Sequence, residues 1–299
     1  MSSTSEQNQE GNYFIGDHEN VAEMARLLRQ DSMLTEGMGG LLAEREPEIA
    51  AIHTLLDLAC GPGDWVMQWA ANDPHLQAWG VDISTLMIAY AQQTAQAAGL
   101  SNAHFLTMDV SKPLDFFADH SFDLINVRYL IGFLPAARWP ALFTECKRLL
   151  RPAGTFRLTD MEVGASSTSL ALERLTLWLL EALWKAGQSF APDGLTGKLG
   201  ITAVTPSLFR SAGYEYQGSM THLIDFSSGT RYHQGFCDDC RVLFQLTQPF
   251  LLGAGVTTEE AFEQAYERML LDMDRPDFRA CRDFHTFWGK KPGGEERNR

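Results

Sequence analysis

Positive charge is scarce in this chain. Lysine and arginine total 24 against 38 aspartates and glutamates, a formal net charge of −14, and the basic residues form no cluster. A phosphate backbone would be repelled, so nucleic acid is not expected as a partner. Cysteine is scarce too: five thiols, an odd number scattered over 299 residues, make no disulfide framework and suit a reducing compartment. Long apolar runs are missing; the most apolar stretch, 170–184, is interrupted by Glu173, Arg174 and Glu181, which excludes a membrane span. Residues 1–12 lack a basic segment followed by an apolar core, so no signal peptide is expected and the cytoplasm is the expected location. Cys237 and Cys240 form a single C-x-x-C, with His233 four residues earlier and no second cysteine pair. Helix packing is therefore expected there, and no metal.

What is present is a hydrophobic content of 45%, ample for a core, and one organising stretch, Leu55-Leu56-Asp57-Leu58-Ala59-Cys60-Gly61-Pro62-Gly63-Asp64-Trp65. An apolar run that ends in a glycine turn and leads into a helical pattern reads as a parallel strand covered on both faces. Gly61 and Gly63 lack the Cβ that would keep a ligand off the backbone. A dinucleotide site would place a third glycine where this chain has Val66. The acids downstream therefore carry the discrimination. Asp82 ends the next apolar segment, 19 residues after Gly63, where a carboxylate accepts hydrogen bonds from ribose hydroxyls. Asp109 ends the third segment and Val110 follows, an acid and an apolar face suited to the amino edge and the plane of adenine.

In order and spacing these residues resemble the class I S-adenosylmethionine-dependent methyltransferases of the small-molecule type. The resemblance is firm over 50–163 and extends to Phe122-Asp123-Leu124-Ile125-Asn126 as a fourth strand and Leu149-Leu150-Arg151-Pro152-Ala153-Gly154 as the lead-in to the fifth. It departs at Ala153, where the family usually has glycine. Asn126-Val127-Arg128-Tyr129 also differs from the Asn-Pro-Pro-Tyr of enzymes that methylate exocyclic or amide nitrogens, which lowers nucleobases and glutamine amides as substrates. The resemblance implies S-adenosylmethionine as cofactor, S-adenosylhomocysteine as product, and an α/β, Rossmann-like, doubly wound, mostly parallel seven-stranded sheet. It implies cofactor contacts from Tyr13, Asp57, Ala59, Gly61, Gly63, Asp82, Ile83, Met87, Asp109, Val110 and Asn126, with Asp57 supporting the turn from beneath. Among relatives it points to quinone-biosynthesis and secondary-metabolite enzymes.

Around that core, residues 1–12 and 293–299 read as disordered tails, and 13–49 as a helical lid. There Asp17 caps a helix with an apolar stripe at Val21, Met24, Ala25 and Leu28; as a lid it would bring Tyr13 and Phe14 over the methionine end, the competing reading is a plain amphipathic helix docked on the domain, and His18 is a surface residue. Residues 164–292 complete the sheet and add a helical cap. A long helix spans Ser169 to Gly187, Thr205-Pro206 opens another, strand six covers Tyr214 to Phe226, two helical stretches lie within 233–273, and strand seven returns antiparallel over Ala280 to Trp288. Gly154 is expected to end the helix begun at Pro140, with strand five starting at Phe156.

Ligands of open α/β sheets sit beyond the carboxyl ends of the strands. That rule selects Arg128, Tyr129, Asp160, Glu162 and His222 as catalytic candidates, against ion pairing for Arg128, helix-start capping for Asp160 and Glu162, and strand packing for His222. Tryptophans 65, 69, 178 and 184 read as core rather than pocket. The expected activity is methyl transfer to a small, largely apolar or aromatic acceptor, on oxygen, nitrogen or carbon. The competing readings are a silent cofactor-binding module or regulatory subunit and, less well matched, a nicotinamide oxidoreductase. Nothing in the sequence sets an oligomeric state.

Overall fold

A computed structural model of the chain describes residues 20–42, 44, 51–194 and 197–293. The expected tail at 1–12, Tyr13, Phe14, Asp17, His18 and residues 294–299 lie outside the described residues. The core alternates strand and helix: β1 (Thr54–Leu58), α2 (Asp64–Asn72), β2 (Gln77–Asp82), α3 (Thr85–Ala97), β3 (Ala103–Thr107), β4 (Phe122–Arg128), α4 (Trp139–Leu149) and β5 (Leu150–Asp160). Helix α1 (Val21–Gly37) precedes it. After it come β6 (Ser166–Ser167), α5 (Leu170–Lys185), α6 (Ile201–Ser211), β7 (Glu215–Asp225), α7 (His233–Gly253), α8 (Glu259–Met273) and β8 (Ala280–Lys290).

The sheet order is β3-β2-β1-β4-β5-β8, parallel from β3 through β5, with antiparallel β8 bordered by β7. β1 pairs with β2 on one side and β4 on the other, so the chain changes direction of winding there. This is where an open sheet leaves a crevice at its carboxyl edge. Seven strands were expected and the sheet has eight among the described residues. The extra one, β6, pairs with Cys281 and Ala280 beyond the point where β5 leaves β8. Two residues are too short to leave a periodic signal.

Three boundaries differ from expectation. Asn20 caps α1 in place of Asp17, its side chain accepting from the N–H groups of Ala22 and Glu23. Strand β5 starts at Leu150 and not at Phe156, opposite Phe122; a bulge then sets Thr155 opposite Leu124, and Pro152 is tolerated because bulged residues need not donate to the ladder. Helix α6 starts four residues before Thr205, so Pro206 lies inside it.

The apolar stripe assigned to α1 is only partly buried, with Met24, Ala25 and Leu28 half-buried. Val21 is 63% exposed, whereas Glu23, Arg26, Leu34 and Thr35 are buried. Charged partners from other helices decide that orientation, as described below. Helices α1, α5, α7 and α8 share a second apolar core with the 280–284 end of β8, and together they roof the carboxyl edge of the sheet.

Candidate active site

The turns after β1, β2 and β3 open into one cavity of about 830 Å3, toward the upper end of the ~300–1,000 Å3 usual for small-molecule sites. Asp57, near the end of β1, lines it and accepts the Asn126 Nδ2–H at 2.7 Å. Burial pushes the Asp57 carboxyl up to about 7, against the pull of Arg128 and of the Asn126 amide. The other end of that amide, Oδ1, accepts from Arg157 at 2.7 Å, and Arg157 is paired with Glu44. With both ends committed, Asn126 is fully buried beneath the cavity and not on its wall.

The two glycines of the turn divide the work. Gly61 (φ +54°) borders the cavity, and a Cβ there would meet nothing nearer than Leu27 and Met87, at 3.7 and 3.8 Å. Gly63 (φ +84°) is off the wall; a Cβ there would lie 2.5 Å from Phe105 and 3.0 Å from Ala91. Its bareness lets α2 start hard against β3 and α3. Asp82 holds the turn from the side: one carboxylate oxygen accepts the Gly61 N–H at 2.8 Å, the other the Ser84 N–H at 2.9 Å. Ser84 in turn caps α3 by accepting from Met87 N–H at 3.2 Å. Ala59, Ile83, Met87 and Val110 line the same space, with Ile83 39% exposed. Asp109 lies two residues past β3, bonded by the Ser111 N–H at 2.9 Å and paired with Lys112 at 3.2 Å. Partial burial acts upward on its carboxyl, but Ser111 and Lys112 hold it below the usual range.

Across the cavity, Arg128 ends β4. Its guanidinium forms an ion pair with Asp31 of α1, bonds the Thr35 hydroxyl at 3.0 Å and lies 5.6 Å from the Trp65 ring. A second tie fixes α1 to α7: Arg26 reaches Glu23 and Asp239, each at 2.6 Å, all three buried, and Gln30 adds a bond to Asp239 at 3.1 Å. Tyr129 follows Arg128 with φ +56°, a conformation uncommon for a bulky residue and frequent at functional sites. Its hydroxyl is buried with no hydrogen-bond partner among the described residues, and its ring meets Phe284 edge-on at 5.8 Å.

A family described as a methyltransferase domain matches residues 55–154, the span from β1 into β5. A probable methyltransferase, ltbC, of Aspergillus luteorubrus is 26% identical over 230 residues, 73% of this chain and 78% of that protein. The ubiquinone/menaquinone biosynthesis C-methyltransferase UbiE of Dinoroseobacter shibae is 32% identical over 112 residues, 37% of this chain and 43% of that one. A putative methyltransferase of Bacillus halodurans shares the fold, with a TM-score of 0.50 at 14% identity over 80% of this chain and 92% of that one. Over that span the chain is a class I S-adenosylmethionine-dependent methyltransferase.

In this methyltransferase the remaining candidates sit off the cavity wall. Asp160 is fully buried; its carboxylate accepts the N–H groups of Ile131 and Met161 at 3.0 and 2.9 Å and so fixes the loop after β4. Burial pushes it up to about 7, against those backbone bonds. Glu162 caps α6, accepting from Gly200 N–H (2.7 Å), Thr202 N–H (2.9 Å) and the Thr202 hydroxyl (2.6 Å). His222 lies on β7, its Nε2 buried without a hydrogen-bond partner among the described residues, and burial lowers its pKa. None of the four tryptophans named above reaches the wall. The Cys237 sulfur is 3.7 Å from the His233 ring, and among the described residues no three His, Cys, Asp or Glu side chains are grouped to hold a metal. No helix among them is long and apolar enough to cross a membrane. Sequence reasoning missed Asp31, Glu23, Arg26 and Arg282, all on the wall. Their only sequence signal is a charge on an otherwise apolar or helical segment.

Proposed function

We propose that this methyltransferase methylates a small, largely apolar or aromatic organic acceptor enclosed between the glycine turn and the helical cap. The observation that carries the reading is that Asp57, Asp82 and Asp109, at or just beyond the ends of β1, β2 and β3, line one cavity with Gly61. Asp82 lines the cavity beside the turn it holds, where a carboxylate can accept from ribose hydroxyls. Asp109 is placed to accept from an exocyclic amine, and Ile83 and Val110 offer apolar surface to a flat ring. Ala59, Met87 and the bare Gly61 leave room for the chain that links ribose to sulfur. Arg128 stands beside Asp57 at the polar end.

When bound, the sulfonium supplies an electrophilic methyl group. The acceptor's oxygen, nitrogen or carbon forms the new bond as the carbon–sulfur bond breaks, its electron pair returns to sulfur, and a proton bound to the acceptor leaves to a base or to water. The contribution of the chain is alignment and exclusion of water, on the order of 7 to 11 kcal/mol in well-fixed cases. Neither wall candidate suits a base. Arg128 stays protonated, and burial raises the Tyr129 phenol above its ordinary pKa, so that its hydroxyl donates. Asp160 and Glu162 spend their oxygens on backbone N–H groups.

The acceptor side is apolar: Met161, Leu179, Leu183, Leu199, Leu243 and Phe244 line it. The test is transfer of label from methyl-labelled S-adenosylmethionine to an extract of small metabolites. Labelled products are expected. Binding of S-adenosylhomocysteine without any movement of label would favour a silent module instead.

A further inference from the structure

Three buried or half-buried arginines line the cavity, and two have carboxylate partners: Arg26 with Glu23 and Asp239, Arg128 with Asp31. Arg282 is the third. It is 9% exposed, and among the described residues it forms no ion pair and no hydrogen bond; its Nε is sealed off without an acceptor, and its guanidinium lies 5.7 Å from the Phe236 ring. A buried cation without a counter-ion is costly. The Glu23–Arg26–Asp239 group on α1 and α7 carries a net negative charge that offsets Arg282 at longer range; both Glu23 oxygens and Oδ1 of Asp239 are taken by Arg26 and Gln30, and among the described residues no carboxylate forms an ion pair with Arg282.

The place of Arg282 separates it from the cofactor cradle. It lies three residues beyond the His285–Asp160 pair, past the carboxyl end of β5. β8 is three strand spacings from β1, about 14 Å at ~4.8 Å each. Its guanidinium lies against the Phe236 ring, and the same cavity wall carries Met161, Leu243 and Phe244. Phe284, two residues from Arg282 on the same face of β8, meets the Tyr129 ring edge-on at 5.8 Å, and Tyr129 and Arg282 both line the cavity.

Resting on the proposed methyl-transfer function, we infer that the acceptor is an organic anion: a carboxylate on an otherwise apolar body, paired with Arg282 and approached by the Tyr129 hydroxyl. A guanidinium matches a carboxylate in shape and can donate twice to it. The neutral ester of the same body would leave Arg282 unpaired.

The test uses the full chain saturated with S-adenosylhomocysteine and a panel of matched pairs: 1-hydroxy-2-naphthoate, 4-hydroxycinnamate and decanoate, each against its methyl ester, with binding followed by calorimetry. At least one acid should bind tenfold or more tighter than its ester. Arg282→Gln should abolish that preference while leaving the affinity for S-adenosylhomocysteine unchanged, and Arg282→Lys should keep part of it, which also serves if the glutamine variant fails to fold. The inference is overturned if no acid outbinds its ester, if the preference survives Arg282→Gln, or if the variant loses S-adenosylhomocysteine in equal measure. Failure of the wild type to bind S-adenosylhomocysteine would instead remove the cofactor assignment on which this rests.

Discussion

Arg128 and Asp31 join the end of β4 to α1 by an ion pair that is largely shielded from water. Since Arg128 also lies over Trp65 at the start of α2, one side chain fixes α1, the central strand and the glycine-turn helix relative to one another. Breaking one partner of such a pair leaves the other charge desolvated and typically costs about 3–5 kcal/mol when burial is complete, less here because Asp31 is partly open. A double-mutant cycle on Asp31→Asn and Arg128→Met, measured by urea unfolding, should give a coupling of at least ~1 kcal/mol. Additive effects would show that α1 is held by its other contacts alone.

Gly63 is expected to be a packing position. Gly63→Ala would drive a methyl into Phe105 and Ala91 at a positive φ, so a loss of ~1–3 kcal/mol is expected from overpacking, with backbone strain in addition. A melting temperature within a degree of wild type would contradict this.

The two buried acids predict a pH dependence. Asp57 titrates near 3.8 in an unperturbed chain and at about 7 in the fold, mainly through burial. Between those values the folded protein keeps a proton that the unfolded chain has released, so stability falls as pH rises through the window, by up to ~1.4 kcal/mol per pH unit for each such group. Asp160 adds to the same trend. Asp57→Asn, whose amide oxygen can still accept from Asn126, should flatten the profile between pH 4.5 and 7 by one group's share. Unfolding free energies with the same slope in both proteins would refute the assignment.

Glu162→Ala should cost ~1–2 kcal/mol through loss of the α6 cap and leave the affinity for S-adenosylhomocysteine as it is. A large change in that affinity, at unaltered stability, would return Glu162 to the binding site.

The parallel strands and the glycine turn were legible because each is a local pattern: a short apolar run, a bend, an acid at the strand end. Gly61, Asp82 and Asp109 could be named from spacing for that reason, and Asp57 from the resemblance. Asn126 and Gly63 were named with them, yet the structure puts one under the cavity and the other into helix packing, since spacing gives a residue's neighbourhood and not the direction of its side chain. The face of α1 was misread in part because its determinant is remote: Arg26 meets Asp239 across 213 residues of sequence, and such a pair outweighs the preference of Val21 for the interior. Arg282 was invisible for the same reason, as a strand shows a charge but not which partners it lacks.

The most direct measurement is calorimetric titration of S-adenosylhomocysteine into the wild type and Asp82→Ala. The account predicts a single saturable site in the wild type and at least tenfold weaker binding in the variant, about 1.4 kcal/mol, as ribose contacts and the Gly61 hydrogen bond are lost. An unchanged dissociation constant, or no binding to a folded wild type, would contradict it.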